Sequence, residues 1–305
     1  AAINKQPWPM AETAKLVGEA VGNLNQDIQL AEGIRKHPEL LTESSKSNAF
    51  KKLKKLEEEA VLRELLARKK DELENADYSK NFSNESCEDL LDATTSNSID
   101  LIITDPPWGV GIEESGQIRD KVEYEDDEQD VKDLLERVYP EFYRVLKPGH
   151  HAFIFFGIQY YEWHVAQLVK AGFEVDQIPG IWNKEAHSGT YSPYRETNAY
   201  ECYLHCWKGD PIPFKGAVPN VHSYPRVLPA EKIHTAEKPI ELINDLIEQA
   251  SQPGEIVADY FAGSASTLRA AILANRLAVG CELNPETYVK SLIALQKERE
   301  RNASV

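Results

Sequence analysis

The segment ADYFAGSASTLRAA, residues 258–271, has the pattern of a strand, a turn and a helix. A short apolar strand ends at Asp259, a turn of small residues follows, and a helix is predicted to begin near Ser266. A ligand can approach the backbone N–H groups of such a helix start, because small side chains leave room for it. The segment matches neither the GxGxxG pattern of dinucleotide sites nor the GK[ST] of phosphate-binding loops, since Gly263 is its only glycine.

Strands and helices alternate around this segment, from about residue 80 onward. The predicted strands are 99–104, 151–156, 200–207, 255–260 and 277–283, and the predicted helices are 131–146, 160–171, 239–250, 266–274 and 285–299. This alternation is typical of an α/β fold in which a mostly parallel sheet carries helices on both faces. Residues 1–79, rich in Ala, Leu, Lys and Glu, are predicted to be a helical N-terminal extension of an α/β domain over 80–305.

A second strand end carries the segment ITDPPWG, residues 103–109. Open α/β sheets bind ligands beyond the carboxyl ends of their strands, so we expect this loop and the one after Asp259 to face one crevice. The two prolines have no N–H group to compete for nearby carbonyl oxygens, Asp105 is a further acceptor, and Trp108 offers a flat stacking surface. A flipped adenine amino group requires two acceptors and such a surface. The alternative is a plain turn that ends the strand.

Charged residues follow in two more segments. The strand after the small-residue turn ends at Glu282, where a carboxylate is placed to accept hydrogen bonds from both hydroxyls of a ribose. The segment HTAEKP, residues 234–239, opens a helix, and its His234 and Lys238 are placed to pair with a ligand carboxylate. The alternative for Glu282 is a surface position at the start of the helix at Pro285, and His234 and Lys238, taken singly, are more typical of caps and surface groups.

The composition excludes several classes of protein. Of 305 residues, 42% are hydrophobic and 28% charged, as in an ordinary globular protein, and no run of about eighteen apolar residues predicts a membrane span. The formal net charge of −16 argues against a protein that binds polyanions through its average charge. Residues 35–70 nevertheless hold eleven basic and six acidic residues, whereas 105–137 hold four basic and twelve acidic ones. Any nucleic acid must therefore contact selected surfaces.

The cysteines suggest neither disulfides nor a metal site. Cys87, Cys202, Cys206 and Cys281 form no CxxC pair, which indicates a reducing compartment. Cys202, His205 and Cys206 are close enough in sequence to raise the question of zinc. Because 200–207 is a predicted strand, both cysteines lie on one face and His205 on the other, and no metal is predicted.

Together these segments resemble the amino-methylating, S-adenosylmethionine-dependent DNA methyltransferases. The order of the motifs, with DPPW before the FAGS turn, is that of the β-type permutation of this family. The resemblance covers about residues 80–300 and includes RVLKPG (144–149), HTAEKP (234–239), PGEIVADYFAGS (253–264) and CELNPETY (281–288). It implies a Rossmann-like class I sheet of seven mostly parallel strands, with S-adenosyl-L-methionine as the cofactor.

The resemblance also implies a role for individual residues. The target-amine pocket, which holds the catalytic residues, would consist of Asp105, Pro106, Pro107 and Trp108. The cofactor would be lined by Asp259, Phe261, Ala262, Gly263 and Ser264, with Glu282 on its ribose and His234 and Lys238 at its methionine end. Two positions depart from the family pattern: Ala265 stands where a second glycine is usual, and Ser86 where an aspartate is frequent.

Within this family an aspartate before Pro-Pro goes mostly with adenine and a serine with cytosine, so the resemblance implies a site-specific adenine-N6 methyltransferase of double-stranded DNA, as in restriction–modification. Residues 109–130 and 176–233 are the predicted target-recognition loops. On the second, Tyr191, Tyr194 and Arg195 are candidates for DNA contact, whereas Trp182 and Tyr200 are predicted to be packed in the core.

Other functions stay open at this point. One is methylation of cytosine N4 or of RNA, and another is a catalytically degenerate protein that keeps the fold and binds nucleic acid or partners through its N-terminal helices. A homodimer is also left open. We expect the protein in the cytoplasm, associated with the nucleoid, in a prokaryote or phage, because residues 1–10 lack the layout of a secretory signal.

Overall fold

A computed structural model describes residues 20–54, 56–57, 81–108, 128–188, 194, 196–227 and 237–302. The chain divides into two compact units, residues 1–71 and 72–305, whereas the sequence placed the boundary after residue 79. Among the described residues no helix is long and apolar enough to cross a membrane.

The described part of the first unit is helical. Val21–Lys36 form an α-helix, Pro38–Thr42 form a 3-10 helix, and residues 46–54 and 56–57 are helical as well. A small cluster of buried side chains holds these segments together: Leu30, Leu40, Ala49 and Leu53. The lysines of the second helical segment that point to solvent include Lys51 and Lys54.

The second unit is built on one sheet. Its strands are β1 (Phe82–Ser83), β2 (Ile99–Thr104), β3 (Leu146–Phe156), β4 (Glu174–Val175), β5 (Gly180–Ser188), β6 (Asn198–Trp207), β7 (Val221–Ser223), β8 (Ile256–Asp259) and β9 (Leu277–Cys281). Its helices are α1 (Cys87–Ala93), α2 (Glu128–Val145), α3 (Tyr161–Ala171), α4 (Ile240–Ala250), α5 (Ser266–Leu273) and α6 (Pro285–Asn302), and a 3-10 turn covers Ile158–Tyr160.

The strand order confirms the expected class I sheet. It runs β1-β9-β8-β2-β3-β6-β5-β7, with β4 paired to β6. Neighbours from β1 through β3 are parallel, β6 is antiparallel to β3, β4 and β5, and β7 is parallel to β5. Among the described residues the strands of three or more residues number seven, as the resemblance implied, and the two-residue strands β1 and β4 raise the count to nine.

Helices cover both faces of the sheet. All six residues of β2 are buried, with Ile102 in one core cluster and Leu101 and Ile103 in the other. The first cluster includes apolar residues of α1, α2 and α3, and the second includes residues of α4 and α5. A strand covered on both faces gives a mostly apolar run, interrupted in β2 by Asp100, and both ends of β2 were correctly predicted.

Strand β6 shows the alternation expected from its sequence. Cys202 and Cys206 lie in the first core cluster, whereas the ring of His205 stacks on Phe153, a residue of the second cluster. The two cysteines therefore face away from the histidine, as the predicted alternation along the strand requires. All four cysteines are buried.

The segment 176–233 is not one long recognition loop, because β5 and β7 belong to the sheet. Trp182 on β5 is buried, as predicted. Tyr200 is 43% exposed, so its predicted place in the core is wrong. The reason is the register of β6: its pairing with β3 ends at Cys202, and Tyr200 extends beyond the end of that neighbour. Residues 109–127, most of the other predicted loop, lie outside the described residues.

Candidate active site

The two predicted loops begin side by side. Strands β2 and β8 are parallel neighbours, with Ile102 paired to Ala258, so Thr104 and Asp259 end at the same edge of the sheet. The Thr104 hydroxyl donates a hydrogen bond to Oδ1 of Asp259 at 2.8 Å, and both side chains are buried. The loop after each strand therefore starts from a fixed position relative to the other.

A partly open cavity of about 70 Å³ lies at this edge. It is lined by Ile103, Thr104, Asp105, Phe155, Lys238, Ile243, Asp259, Phe261, Ala262, Gly263, Ser264, Ser266 and Thr267. Asp105 of the DPPW segment and Gly263 of the FAGS turn thus share one cavity, as the sequence predicted. Five of the predicted cofactor-lining residues and Lys238 also line it.

Both carboxylate oxygens of Asp105 have a partner. The indole Nε1 of Trp108 donates to Oδ1 at 3.0 Å, and the ammonium of Lys238 donates to Oδ2. That ammonium also lies over the Phe155 ring, 4.9 Å from the centroid, and 5.9 Å from the centroid of the Trp108 ring. Trp108 is half-buried, so part of its surface remains open for stacking.

Lys238 is held by two carboxylates at the cavity. The sequence assigned it to the methionine end of the cofactor, and that role stays a prediction; in this structure its Nζ contacts Asp105 and lies 3.0 Å from Oε2 of Glu201 on β6. Glu201 in turn pairs through Oε1 with Lys184 of β5 at 2.7 Å. Burial alone would lower the pKa of Lys238, but the two carboxylates outweigh it and raise that pKa, so the ammonium stays charged.

Glu201 and Lys184 were not predicted. Burial alone would raise the pKa of Glu201, but the ammonium groups of Lys238 and Lys184 outweigh burial and lower it, so Glu201 is ionised. The pKa of Asp105 is raised, first by burial and then by the negative charge of Glu201, against the opposing effect of Lys238. Four charged groups therefore form one buried network at the amine pocket: Asp105, Lys238, Glu201 and Lys184.

The small-residue turn is held in shape by its backbone conformation at Gly263 and by hydrogen bonds to Glu282. Gly263 adopts a φ of +50°, a left-handed conformation that glycine adopts without strain. Its N–H donates to Oε2 of Glu282 at 3.0 Å, and the N–H of Asn284 donates to Oε1 at 2.7 Å. A carboxylate has about four lone-pair sites, so this anchored Glu282 can still accept from two ribose hydroxyls. Burial raises its pKa above the usual value.

The two departures from the family pattern have local explanations. Ala265 adopts a φ of +58° directly before α5, is fully buried, and packs in a cluster that contains Phe82 and Leu268. It does not line the cavity, so its methyl group does not narrow that cavity. Ser86 is the N-cap of α1, where its hydroxyl accepts from the N–H of Asp89 at 3.1 Å, a position that serine and aspartate fill equally well.

Several candidates lie outside the described residues. These are His234, Tyr191 and Arg195. Tyr194 is described and is 92% exposed, which is compatible with contact to a macromolecule. The assignment of His234 to the cofactor, and of Tyr191, Tyr194 and Arg195 to DNA, stays a prediction.

Known proteins share this architecture. A solved structure, the M1.HpyAVI–SAM complex, superposes with a TM-score of 0.57 at 19% identity, covering 72% of this chain and 98% of that one. PvuII DNA methyltransferase, described as cytosine-N4-specific, superposes with a TM-score of 0.55 at 19% identity, over 72% and 91% of the two chains. At this level of identity the two structures show a common fold.

Relatives by sequence include two proteins of Escherichia coli strain K12. YubD, named as a methylase, is 29% identical over 221 residues, which cover 72% of this chain and 92% of YubD. The DNA adenine methyltransferase YhdJ is 28% identical over 227 residues, which cover 64% and 75% of the two chains.

Residues 99–293 match the N6/N4 methyltransferase family of DNA methylases, and this span contains both loops and all four charged residues of the buried network. The match confirms the predicted family, and with it the expected methyl donor, S-adenosyl-L-methionine. The chain belongs to the DNA methylases that methylate an exocyclic amino group of adenine or cytosine.

Proposed function

We propose that this DNA methyltransferase methylates N6 of an adenine flipped out of double-stranded DNA, and that Asp105 is its catalytic residue. The observation that supports this proposal best is the shared cavity, which is lined by Asp105 on one side and by the Asp259–Ser264 turn on the other. An amine acceptor and a cofactor turn on one cavity provide the proximity that direct transfer between two bound molecules requires.

The residues present fit S-adenosylmethionine. Glu282 is anchored by two backbone N–H groups with acceptor sites left for ribose hydroxyls, and Gly263 brings backbone to the cavity wall. Asp259 lies at the cavity floor as a buried acceptor. When bound there, the cofactor supplies a methyl group on a sulfonium, which needs no further activation by a metal or a covalent enzyme intermediate.

The protein's task is to prepare the nucleophile. The lone pair of an adenine amino group is delocalised into the ring, and hydrogen bonds from its two N–H groups to Asp105 and to the carbonyl of Pro106 would localise it and direct it at the methyl carbon. Trp108 would stack on the base. The cofactor would supply the methyl group and leave as a thioether, and the methylated amino group would then lose one proton, which Asp105 is placed to accept.

Covalent attack by cysteine has no candidate at this site. No cysteine is among the described residues that line the cavity, and burial raises the pKa of Cys202 to about 11, which disfavours a thiolate. Transfer to an amino group, without an enzyme-bound intermediate, is the chemistry that these residues support.

The choice of adenine rests on the DPPW motif. The resemblance links aspartate before Pro-Pro mostly to adenine, and YhdJ, which carries the name of a DNA adenine methyltransferase, is a sequence relative. PvuII methyltransferase, with its cytosine-N4 specificity, is similar in fold alone. Methylation of cytosine N4 is the second candidate for this reason.

Transfer of radiolabelled methyl groups to mixed-sequence duplex DNA, followed by nucleoside analysis, tests the proposal. We expect labelled N6-methyladenine, and we expect Asp105→Ala to lower the rate by about 10²–10³-fold, in line with the loss of one preorganised polar group. Asp92→Ala, which removes an exposed carboxylate on α1 outside both predicted recognition loops, is the control. Labelled N4-methylcytosine would contradict the choice of base, and transfer to RNA but not to DNA would contradict the substrate.

A further inference from the structure

The buried charge network reaches the amine pocket from the sheet. Lys184 and Glu201 lie on neighbouring strands β5 and β6, and Lys238 directly precedes α4, which covers that face. The side chains of Lys184, Glu201 and Lys238 are 10%, 15% and 6% exposed. Keeping ions this far from water is costly unless each stays paired, so the arrangement restricts where the Lys238 ammonium can move.

In this structure Lys238 contacts Oδ2 of Asp105, the carboxylate that would accept a hydrogen bond from the target amino group. Its ammonium, a nitrogen with N–H donors, contacts Oδ2 of Asp105 and lies near the Trp108 ring. A target amino group is likewise a nitrogen with N–H donors that must contact Asp105 beside Trp108. The other oxygen, Oδ1, already accepts from the Trp108 indole. The ammonium therefore competes with the amino group for the same carboxylate.

Glu201 offers the ammonium a second position. Its Oε2 is buried and lies 3.0 Å from Nζ of Lys238, so the ammonium lies between two carboxylates. Glu201 and Asp105 both attract the same positive charge. Rotation about the last bonds of the lysine side chain would move a proton donor from Asp105 toward Oε2, and the ammonium would keep an anionic partner throughout.

We propose that Lys238 occupies the place of the target amino group until the base enters, and that Glu201 is a positioning residue that receives the ammonium at that moment. Lys184 keeps Glu201 ionised and in place. The inference rests on the proposed function, because it requires Asp105 to receive the target amino group. The inference gives Glu201, a residue of β6, a role in the entry of the base in addition to the role of the DPPW loop.

A double-mutant cycle tests the coupling between the two residues. Glu201→Gln leaves the ammonium on Asp105, so we expect single-turnover methyl transfer to DNA to slow by about tenfold to a hundredfold, the range for a hydrogen bond to a charged group. The dissociation constant of S-adenosylmethionine, measured by calorimetry, should stay within about twofold of wild type. In a Lys238→Met background the same substitution should have little further effect, because no ammonium remains to be moved.

Glu298→Gln is the matched control. Glu298 is another buried carboxylate in an ion pair, with Arg269 at 3.1 Å, but it lies on α6 and does not line the cavity. Full activity of Glu201→Gln, or an equal slowing of transfer in the wild-type and Lys238→Met backgrounds, would overturn the inference while leaving the proposed function intact. A wild-type protein that transfers no methyl group to DNA would instead overturn the proposed function, and the inference with it.

Discussion

Asp259 links the chemistry of the site to the stability of the fold. Its side chain is 4% exposed, and burial raises its pKa to about 6, against the opposing hydrogen bonds from Thr267 and Thr104. An aspartate in an unfolded chain has a pKa of about 3.9. The folded protein therefore binds a proton at this position more tightly than the unfolded chain does.

The sign of the pH dependence follows from this difference. The stabilisation is fully present below about pH 4, and it is lost as the pH rises through the folded value of about 6. Lowering the pH from 7 to 5 should therefore stabilise the wild type through this one group by about 1 kcal/mol. Asp259→Asn has a similar shape but no proton to bind, so its free energy of unfolding lacks this increment.

Urea unfolding without cofactor at pH 7, 6 and 5 measures the effect. We expect the free energy of unfolding of the wild type, minus that of Asp259→Asn, to grow by about 1 kcal/mol between pH 7 and pH 5. Asp130→Asn, an exposed carboxylate on α2, serves as the control for general effects of charge. A difference between wild type and Asp259→Asn that stays constant over this range, or shrinks toward pH 5, would refute the reasoning.

Three further substitutions address the geometry. In Gly280→Ala the new Cβ would lie 2.6 Å from the carbonyl oxygen of Asp259, so urea unfolding should show a loss of about 1–3 kcal/mol and calorimetry a weaker affinity for S-adenosylmethionine. Trp108→Phe keeps a stacking ring but removes the donor to Asp105, so kcat should fall about tenfold while cofactor affinity holds. Ser86→Ala removes the α1 cap and should cost about 1 kcal/mol in urea unfolding. An unchanged free energy of unfolding in Gly280→Ala or Ser86→Ala, or an unchanged kcat in Trp108→Phe, would contradict these expectations.

The strand ends that build the cavity were predictable because their signals are local. The run 99–104 is apolar except for Asp100 and Thr104 and stops at Asp105, and the structure gives β2 those same bounds. The start of α5 at Ser266 follows from the small residues before it and the helix-forming residues after it. Parallel strands buried on both faces leave continuous apolar runs in a sequence, and their ends mark the ligand-binding edge.

The part of the site contributed by β5 and β6 was not predicted, because it depends on which strands pair. The sequence around Glu201 gives no indication that this residue lies near Asp105. The two residues come together only because β6 inserts between β3 and β5 in antiparallel register. One usable signal existed. Since Cys202 and Cys206 share a face of the strand, Glu201 must face the opposite layer, where α4 and the preceding Lys238 lie. A buried carboxylate on that face indicates a cationic partner.

The order of the two loops along the sequence does not affect the chemistry, because the site requires only that the strands before them end next to each other in the sheet. Thr104 and Asp259 are 155 residues apart in sequence, yet their side chains meet at 2.8 Å in the buried layer between the loops. Connections that run outside the sheet can be rearranged without moving these two atoms. A family that permutes its motifs therefore keeps its reaction as long as β2 and β8 remain neighbours, and the Thr104–Asp259 hydrogen bond is the contact that joins the amine loop to the cofactor loop in this protein.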